Sequence, residues 1–423
     1  MIKELRVEQW KSFDQATLYI DPLTIVIGTN ASGKSNLVEA LSFLHRIASG
    51  IDVDQAIKGN DALFPLRGGA EWICRRPSLE FTLAVLIGVS ERQDLRYRIR
   101  VRVEGVKTET VDEELTEIEY ASDAEAAVEK PLILRQSTTA GVTAREAGIP
   151  VGGYAIHAGS ARPATQLVIL GRVSSILPQV DGLVREEDAV DAAKLVAQHL
   201  NQIFVYDPIP SRMRDYSALS ERLMADGANL AGVLAALDPQ RHAEVEQTLT
   251  RYLKNLPERD IKRVWTERVG RLSTDAMLYC EEGWEGAASH EIDARGMSDG
   301  TLRYLAIVTA MLIRPPGSLL VIEDVDNGLH PSRAGLLIEM LRTLGKERGI
   351  DVIVTTHNPA LLDAAGVRML PFITVAHRDG ITGASRLTQL EDIAQLPKLM
   401  AGGSLGQLAT AGRIEAALEA DGM

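Results

Sequence analysis

Cysteine is nearly absent from this chain: Cys74 and Cys280 are the only two in 423 residues. Two cannot form a disulfide framework or a four-cysteine metal site, and a reducing cytoplasm is the simplest setting. No apolar run near a motif is long enough to cross a bilayer; Leu305–Ile313 falls far short. Behind Lys3 and Arg6 stands no apolar segment, so no signal peptide is expected. Positive charge is not in excess either. A net charge of −13 and a pI near 5.2 argue against a surface that binds nucleic acid everywhere, while a local basic groove stays open. No heptad pattern is sustained over several repeats, which excludes a long coiled coil. What remains is an ordinary globular composition, 45% hydrophobic and 24% charged, on a chain long enough for two or three domains.

Against that background the run Gly28-Thr29-Asn30-Ala31-Ser32-Gly33-Lys34-Ser35 stands out. Two glycines four residues apart, then Lys and Ser, follow the phosphate-loop pattern. Leu23–Ile27 before it is a short β-branched run that reads as a buried parallel strand. After it Leu37, Leu41 and Leu44 recur at helical spacing. Gly28 and Gly33 permit the tight turn that points backbone N–H groups at phosphate oxygens, and the helix N-terminus adds its partial positive charge. Lys34 is expected on the β- and γ-phosphates and the Ser35 hydroxyl on Mg²⁺.

Downstream, Ser318–Ile322 is an apolar strand run ending in Glu323-Asp324. Glu323 is expected to hold Mg²⁺ through water, and Asp324 to orient the attacking water. Asp351–Thr356 is a second buried-type strand followed by His357, on the strand edge where ligands of α/β sheets bind. Met297–Arg303 opens a third element. There Ser298 serves as a helix N-cap on the structural reading, and as part of a second phosphate-binding helix end on the functional one.

The order of these motifs resembles the ABC-type ATPases of the SMC, RecF and OLD group, and more narrowly the stand-alone prokaryotic AAA-labelled ATPases of RecF-like type. Ile2–Arg6 and Lys11-Ser12-Phe13 resemble that group's first strand and following loop. Residues 28–35 match Walker A, Ser298-Asp299-Gly300 the signature motif, Glu323-Asp324 Walker B, and Asn327–Pro331 the loop after it. Thr355–Pro359 resembles the switch-histidine segment. The resemblance covers about 1–105 and 290–380. It implies an α/β P-loop NTPase fold, an ABC-type head with a mixed sheet, an antiparallel β lobe and a helical insertion. It implies ATP and Mg²⁺ as cofactors. Gly28, Asn30, Ser32, Gly33, Lys34, Ser35, Asn36, Ser298 and Gly300 would contact nucleotide, Ser35 and Glu323 the metal, and Asp324, Glu323, His357 and Lys34 would carry catalysis. It also implies a homodimer clasping two nucleotides, each between Lys34 of one chain and Ser298 of the other, and slow turnover gating a protein effector in anti-phage defence. Two departures are visible. Walker B reads Glu-Asp where the family writes Asp-Glu or Glu-Glu, and Gln55 and Gln93 compete for the glutamine that couples metal to the helical lobe.

The expected organisation is an N-terminal head lobe over 1–125, a flexible loop plus mostly helical insertion over 126–265, a C-terminal head lobe over 266–380 and a tail over 381–423. The tail is too short for the nuclease domain of OLD relatives. Residues 78–120 alternate as antiparallel strands, whereas 136–166, rich in Gly, Ala, Thr and Ser, read as a mobile loop. Arg96, Arg98, Arg100 and Arg102 line one strand face. Cross-strand pairing with Glu117 and Glu119 is the favoured reading of that row. A phosphate-backbone contact is the second, belonging to an alternative in which the chain is a DNA repair or recombination clamp. A non-hydrolysing scaffold is the third.

Overall fold

The strands of the N-terminal half alternate buried and exposed residues with a period of two, as a sheet with one covered face requires. The computed structural model describes residues 1–61, 63–105, 107–120, 127–137, 145–146, 149–158, 164–171, 173–257, 260–284 and 288–421. They divide into two units. The first comprises Met1–Asp21, Gly28–Ile203 and Thr374–Thr388, the second Pro22–Ile27, Phe204–Ile373 and Gln389–Met423.

The N-terminal elements are β1 (Ile2–Glu8), β2 (Gln15–Tyr19), β3 (Leu23–Ile27), α1 (Lys34–Ala48) and α2 (Val53–Lys58). There follow β4 (Glu80–Ser90), β5 (Gln93–Glu104), β6 (Lys107–Glu119), β7 (Val128–Ser137), β8 (Arg145–Glu146), β9 (Ile149–Ala158) and β10 (Ala164–Gly171), then α3 (Val180–Leu183) and α4 (Glu187–Asn201). All but β3 lie in the first unit, where the strands form one sheet in the order β10-β9-β7-β6-β5-β4-β1-β2, with β8 beside β9. On β5 the buried set is Leu95, Tyr97, Ile99, Val101 and Val103, and α4 packs against β5. Trp10, Phe43 and Phe81 form an aromatic cluster with ring centroids 4.9–5.9 Å apart, tying α1 to β4. The buried carboxylate of Glu113 accepts from Arg135 Nη1 at 2.6 Å, from the Tyr97 and Ser175 hydroxyls and from the Ile176 N–H, so its buried charge is compensated.

The exposed row of β5 is a charge ladder. Arg98 reaches Glu114 and Asp112, Arg100 reaches Asp112 and Glu80, Arg102 reaches Glu80 and Glu109, and Arg96 reaches Glu129. Cross-strand pairing therefore occurs, but Glu117 and Glu119 are not the partners. The register sets them opposite Leu95 and Gln93. A bulge between Arg100 and Val101 then shifts the pairing, so that Arg102 meets Glu109. The loop expected over 136–166 is also corrected, because β7, β9 and β10 pair antiparallel there. Pro150, Gly152 and Gly153 weaken the local strand signal of β9, and the edge of β7 supplies its pairing instead. Of that segment, 138–144, 147–148 and 159–163 lie outside the described residues.

The chain continues with β11 (Ile203–Tyr206), β12 (Ser217–Ala218), α5 (Leu230–Ala236), α6 (Pro239–Lys254), β13 (Ile261–Val269), β14 (Asp275–Glu282) and β15 (His290–Asp293). Then come α7 (Asp299–Ile313), β16 (Leu319–Ile322), α8 (Ala334–Arg348), β17 (Asp351–Thr356), α9 (Pro359–Ala365), β18 (Ile373–Arg378) and β19 (Ser385–Gln389). The last three helices are α10 (Leu396–Met400), α11 (Leu405–Thr410) and α12 (Arg413–Asp421). In the second unit β16, β17 and β3 run parallel, and every residue of the three is buried. β12 to β15 form a small antiparallel sheet beside α5 and α6. Helix α7 is buried continuously from Gly300 to Leu312, as a helix apolar on all sides must be, and packs against α6 and α8. Among the described residues no helix is long and apolar enough to cross a membrane.

Candidate functional site

The phosphate loop begins the Gly28–Ile203 segment of the first unit, directly after the buried strand β3 in the chain. Gly28 has φ 145°, and a Cβ there would lie 2.1 Å from the Ala376 carbonyl oxygen; Gly33 has φ 116°, and a Cβ there would meet Ser385 Oγ at 2.7 Å. Only glycine fits either position. Gly33 caps α1 without a side-chain hydrogen bond, and the first turn holds no acidic residue, so the helix presents its N-terminal amides to an outside anion. Lys34 is almost buried, its ammonium donating to the carbonyls of Gly28 at 2.7 Å and Thr29 at 3.0 Å. Ser32 Oγ is buried with no hydrogen-bond partner among the described residues. A turn with glycine-only close approaches, an orphaned hydroxyl and an inward ammonium fits a chain of phosphates. Ser35 is half-buried and Asn30 exposed. Asn36 faces elsewhere, its Nδ2 donating to Ser12 Oγ at 2.7 Å and its carbonyl accepting from Trp10 Nε1. A cavity of about 530 Å³ opens beside this turn, lined by Lys11, Asn36, Arg67, Trp72, Arg75 and Arg378 among others, with no carboxylate in its lining. Arg378 also donates to the Ala31 carbonyl at 2.9 Å, pinning the loop.

Glu323, Asp324, His357, Ser298 and Gly300 all belong to the second unit. Strand β16 ends at Ile322, Glu323 follows it, and Asp324 turns the chain with φ 44°, in the left-handed region. That conformation is held at both ends. The Asp324 N–H donates to Thr355 Oγ1 at 2.9 Å, and its carbonyl accepts from Arg303 Nη2 at 2.9 Å. His357 Nδ1 lies 3.6 Å from Asp324 Oδ1, and both side chains are open to solvent, 59% and 44% exposed. The structure therefore brings the expected water-orienting acid and the switch histidine together. Ser298 is the N-cap of α7, its Oγ accepting from the Thr301 N–H at 3.1 Å. A Cβ on Gly300 would approach the Gly328 carbonyl at 2.8 Å, so the signature helix and the loop after the acidic pair touch there. Among the described residues no group of three or more His, Cys, Asp or Glu could hold a metal ion. Mg²⁺ is often bound through few protein ligands plus substrate phosphates, so Ser35 and Glu323 remain chemically suitable donors.

Three residues of this region carry more than their sequence suggested. Arg303, 3% exposed, donates to the carbonyls of Glu323, Asp324 and Pro208 and approaches Asp207. It closes the Ser298–Arg303 run, yet its reach is set by α7 packing, which sequence alone does not reveal. Arg214 donates to the carbonyls of Ala294, Arg295 and Met297 and pairs with Asp299, bracing the chain just before the signature helix from some eighty positions upstream. Asp207 follows β11. Burial pushes its carboxyl above the ordinary range, opposed by Arg303 and reinforced by Glu323 and Asp324.

Two family models match the chain. One described as "AAA ATPase domain" covers residues 1–87, and one described as "AAA domain, putative AbiEii toxin, Type IV TA system" covers 283–363. No curated protein matches the sequence. Similar solved structures include an Smc head bound to the C-terminal winged-helix domain of ScpA, 13% identical over 92% of this chain and 96% of that one, TM-score 0.49. An SMC head domain from Thermotoga maritima is 13% identical over 92% and 98%, TM-score 0.43. An Smc head with an extended coiled coil, bound to the C-terminal domain of ScpA and derived from Pyrococcus furiosus, is 13% identical over 95% and 99%, TM-score 0.47. The matched segments hold the phosphate loop at one end and Ser298, the acidic pair and His357 at the other, and both models describe AAA-type ATPase domains.

Proposed function

We propose that the chain binds Mg-ATP on the loop 28–35, dimerises around two nucleotides and hydrolyses them slowly. The observation that carries this reading is the phosphate loop itself: a glycine-built cradle at an uncapped helix end, holding a buried lysine and an unpartnered buried serine hydroxyl. Lys34 and the α1 amides bind phosphate, Ser35 and Glu323 are the metal donors, Asp324 orients water, and His357 steadies Asp324. Magnesium, when bound, neutralises phosphate charge. Asp324 is one methylene shorter than the usual glutamate, which favours slow turnover. In the dimer, Ser298 of each chain meets the nucleotide on the other's loop, an isologous closure. A protein effector gated by that closure, acting in defence, is supported by the toxin–antitoxin system named in one matching family model. DNA ranks second, because the arginine row that favoured it is ion-paired within the sheet.

Sizing with and without Mg-ATP tests the reading. Lys34→Ala is expected to lose nucleotide binding, and with it a stabilisation of about 2.7 kcal/mol at ligand 100-fold above its Kd. Ser298→Arg is expected to bind ATP as a monomer without turning it over, and Asp324→Asn to accumulate an ATP-bound dimer. Concentration-independent turnover by a species that stays monomeric with ATP would overturn the proposal.

A further inference from the structure

A second cavity, about 920 Å³, lies within the second unit between α6 and β13 and shares no residue with the loop or the acidic cluster. Four cations line it: Arg251 and Lys254 from the helix, Lys262 and Arg263 from the strand. Neighbours on a regular strand point to opposite faces, so two adjacent residues reaching one cavity need a break in register. There is one. Ile261 pairs with Glu282 and Arg263 with Glu281, leaving Lys262 as the extra residue of a bulge. The cavity's two carboxylates are already engaged. Glu246 accepts from the Thr266 N–H and hydroxyl and pairs with His242, and Glu281 accepts from Ser289 Oγ. The Thr250 hydroxyl accepts from the Val264 N–H at 3.0 Å, holding helix to strand. Arg263 lies over the Trp265 ring at 4.8 Å, which limits its freedom before any ligand arrives. Among the described residues none of the four cations makes an ion pair or a side-chain hydrogen bond, in a chain whose net charge is −13.

We infer that this cavity binds a compact anion carrying two or more phosphate groups. Its volume suits a small molecule, and a nucleic-acid duplex is too wide to enter. Arginine forks and lysine ammonium groups around one space are donors that suit phosphate oxygens.

Tripolyphosphate titrated calorimetrically into the Lys34→Ala chain tests this, since that background removes the lysine of the phosphate loop. Binding near one equivalent is expected. Lys262→Gln with Arg263→Gln is expected to weaken it about tenfold or more, the loss of charge-assisted hydrogen bonds. Arg368→Gln with Lys398→Gln, which removes the same charge from exposed positions elsewhere, is expected to leave it unchanged. Thermal melts check that both pairs fold. No binding in the Lys34→Ala chain, an equal loss in both pairs, no loss in the cavity pair, or equally tight competition by duplex DNA would each overturn the proposal.

Discussion

Asp324 holds a backbone conformation that most residues avoid, and two hydrogen bonds from outside its own turn keep it there. Aspartate and asparagine tolerate that region better than β-branched residues do. Asp324→Asn is therefore expected to keep wild-type stability in chemical denaturation, while Asp324→Val loses roughly 1–3 kcal/mol. Equal midpoints for the two would show that the turn relaxes freely. Arg303 is the partner that matters on the carbonyl side. Arg303→Met leaves three buried carbonyls short of a donor, at about 1–3 kcal/mol for each group left unsatisfied. It removes nothing from the phosphate loop, so ATP-induced stabilisation is expected to persist while turnover falls. A variant that loses both together would make Arg303 a residue of general folding.

The arginine row of β5 belongs to the scale of elements. Each guanidinium bridges to another strand of the sheet, and all four arginines are partly exposed. Exposed pairs contribute about 0.2–1 kcal/mol each, so replacing all four with Gln is expected to lower stability by on the order of 1–3 kcal/mol. Duplex affinity, read by fluorescence anisotropy across a salt series, is expected to be unaffected; uniform weakening with a shallower salt slope would restore the DNA reading. The same elements show what was legible beforehand. β3, α1, β16 and β17 are short and uniformly apolar or strongly periodic, and the chemistry at their ends, from Gly28 to Ser35 and at Glu323, Asp324 and His357, is local in sequence. The partners of the arginines were not legible. The register of β5 on β6 and a bulge that sets Arg102 opposite Glu109 decide them, and period-two alternation carries no register. Nor was β9, where Pro150, Gly152 and Gly153 interrupt the apolar alternation and the pairing with β7 and β10 sets the strand. Arg303 and Arg214 were invisible for a related reason: their acceptors are backbone carbonyls, which have no sequence signature.

For the whole molecule, the arrangement of segments matters more than any one contact. Neither unit is a continuous stretch of chain. The first needs Thr374–Thr388 to be whole, and that late segment supplies the Ala376 carbonyl against Gly28, Ser385 beside Gly33 and Arg378 on the Ala31 carbonyl. A chain cut after residue 372 would retain the loop, the signature, the acidic pair and the histidine, yet lose the wall of the cradle. Such a fragment is expected to show no ATP-induced shift in melting temperature, and a full shift would mean the cradle forms without its late strand. Arg378 stands 347 positions after Ala31, so in synthesis the loop leaves the ribosome long before the segment that completes its wall. A nascent chain would thus be blind to nucleotide until Thr374–Thr388 has been made, so the order of translation alone would delay the response to ATP.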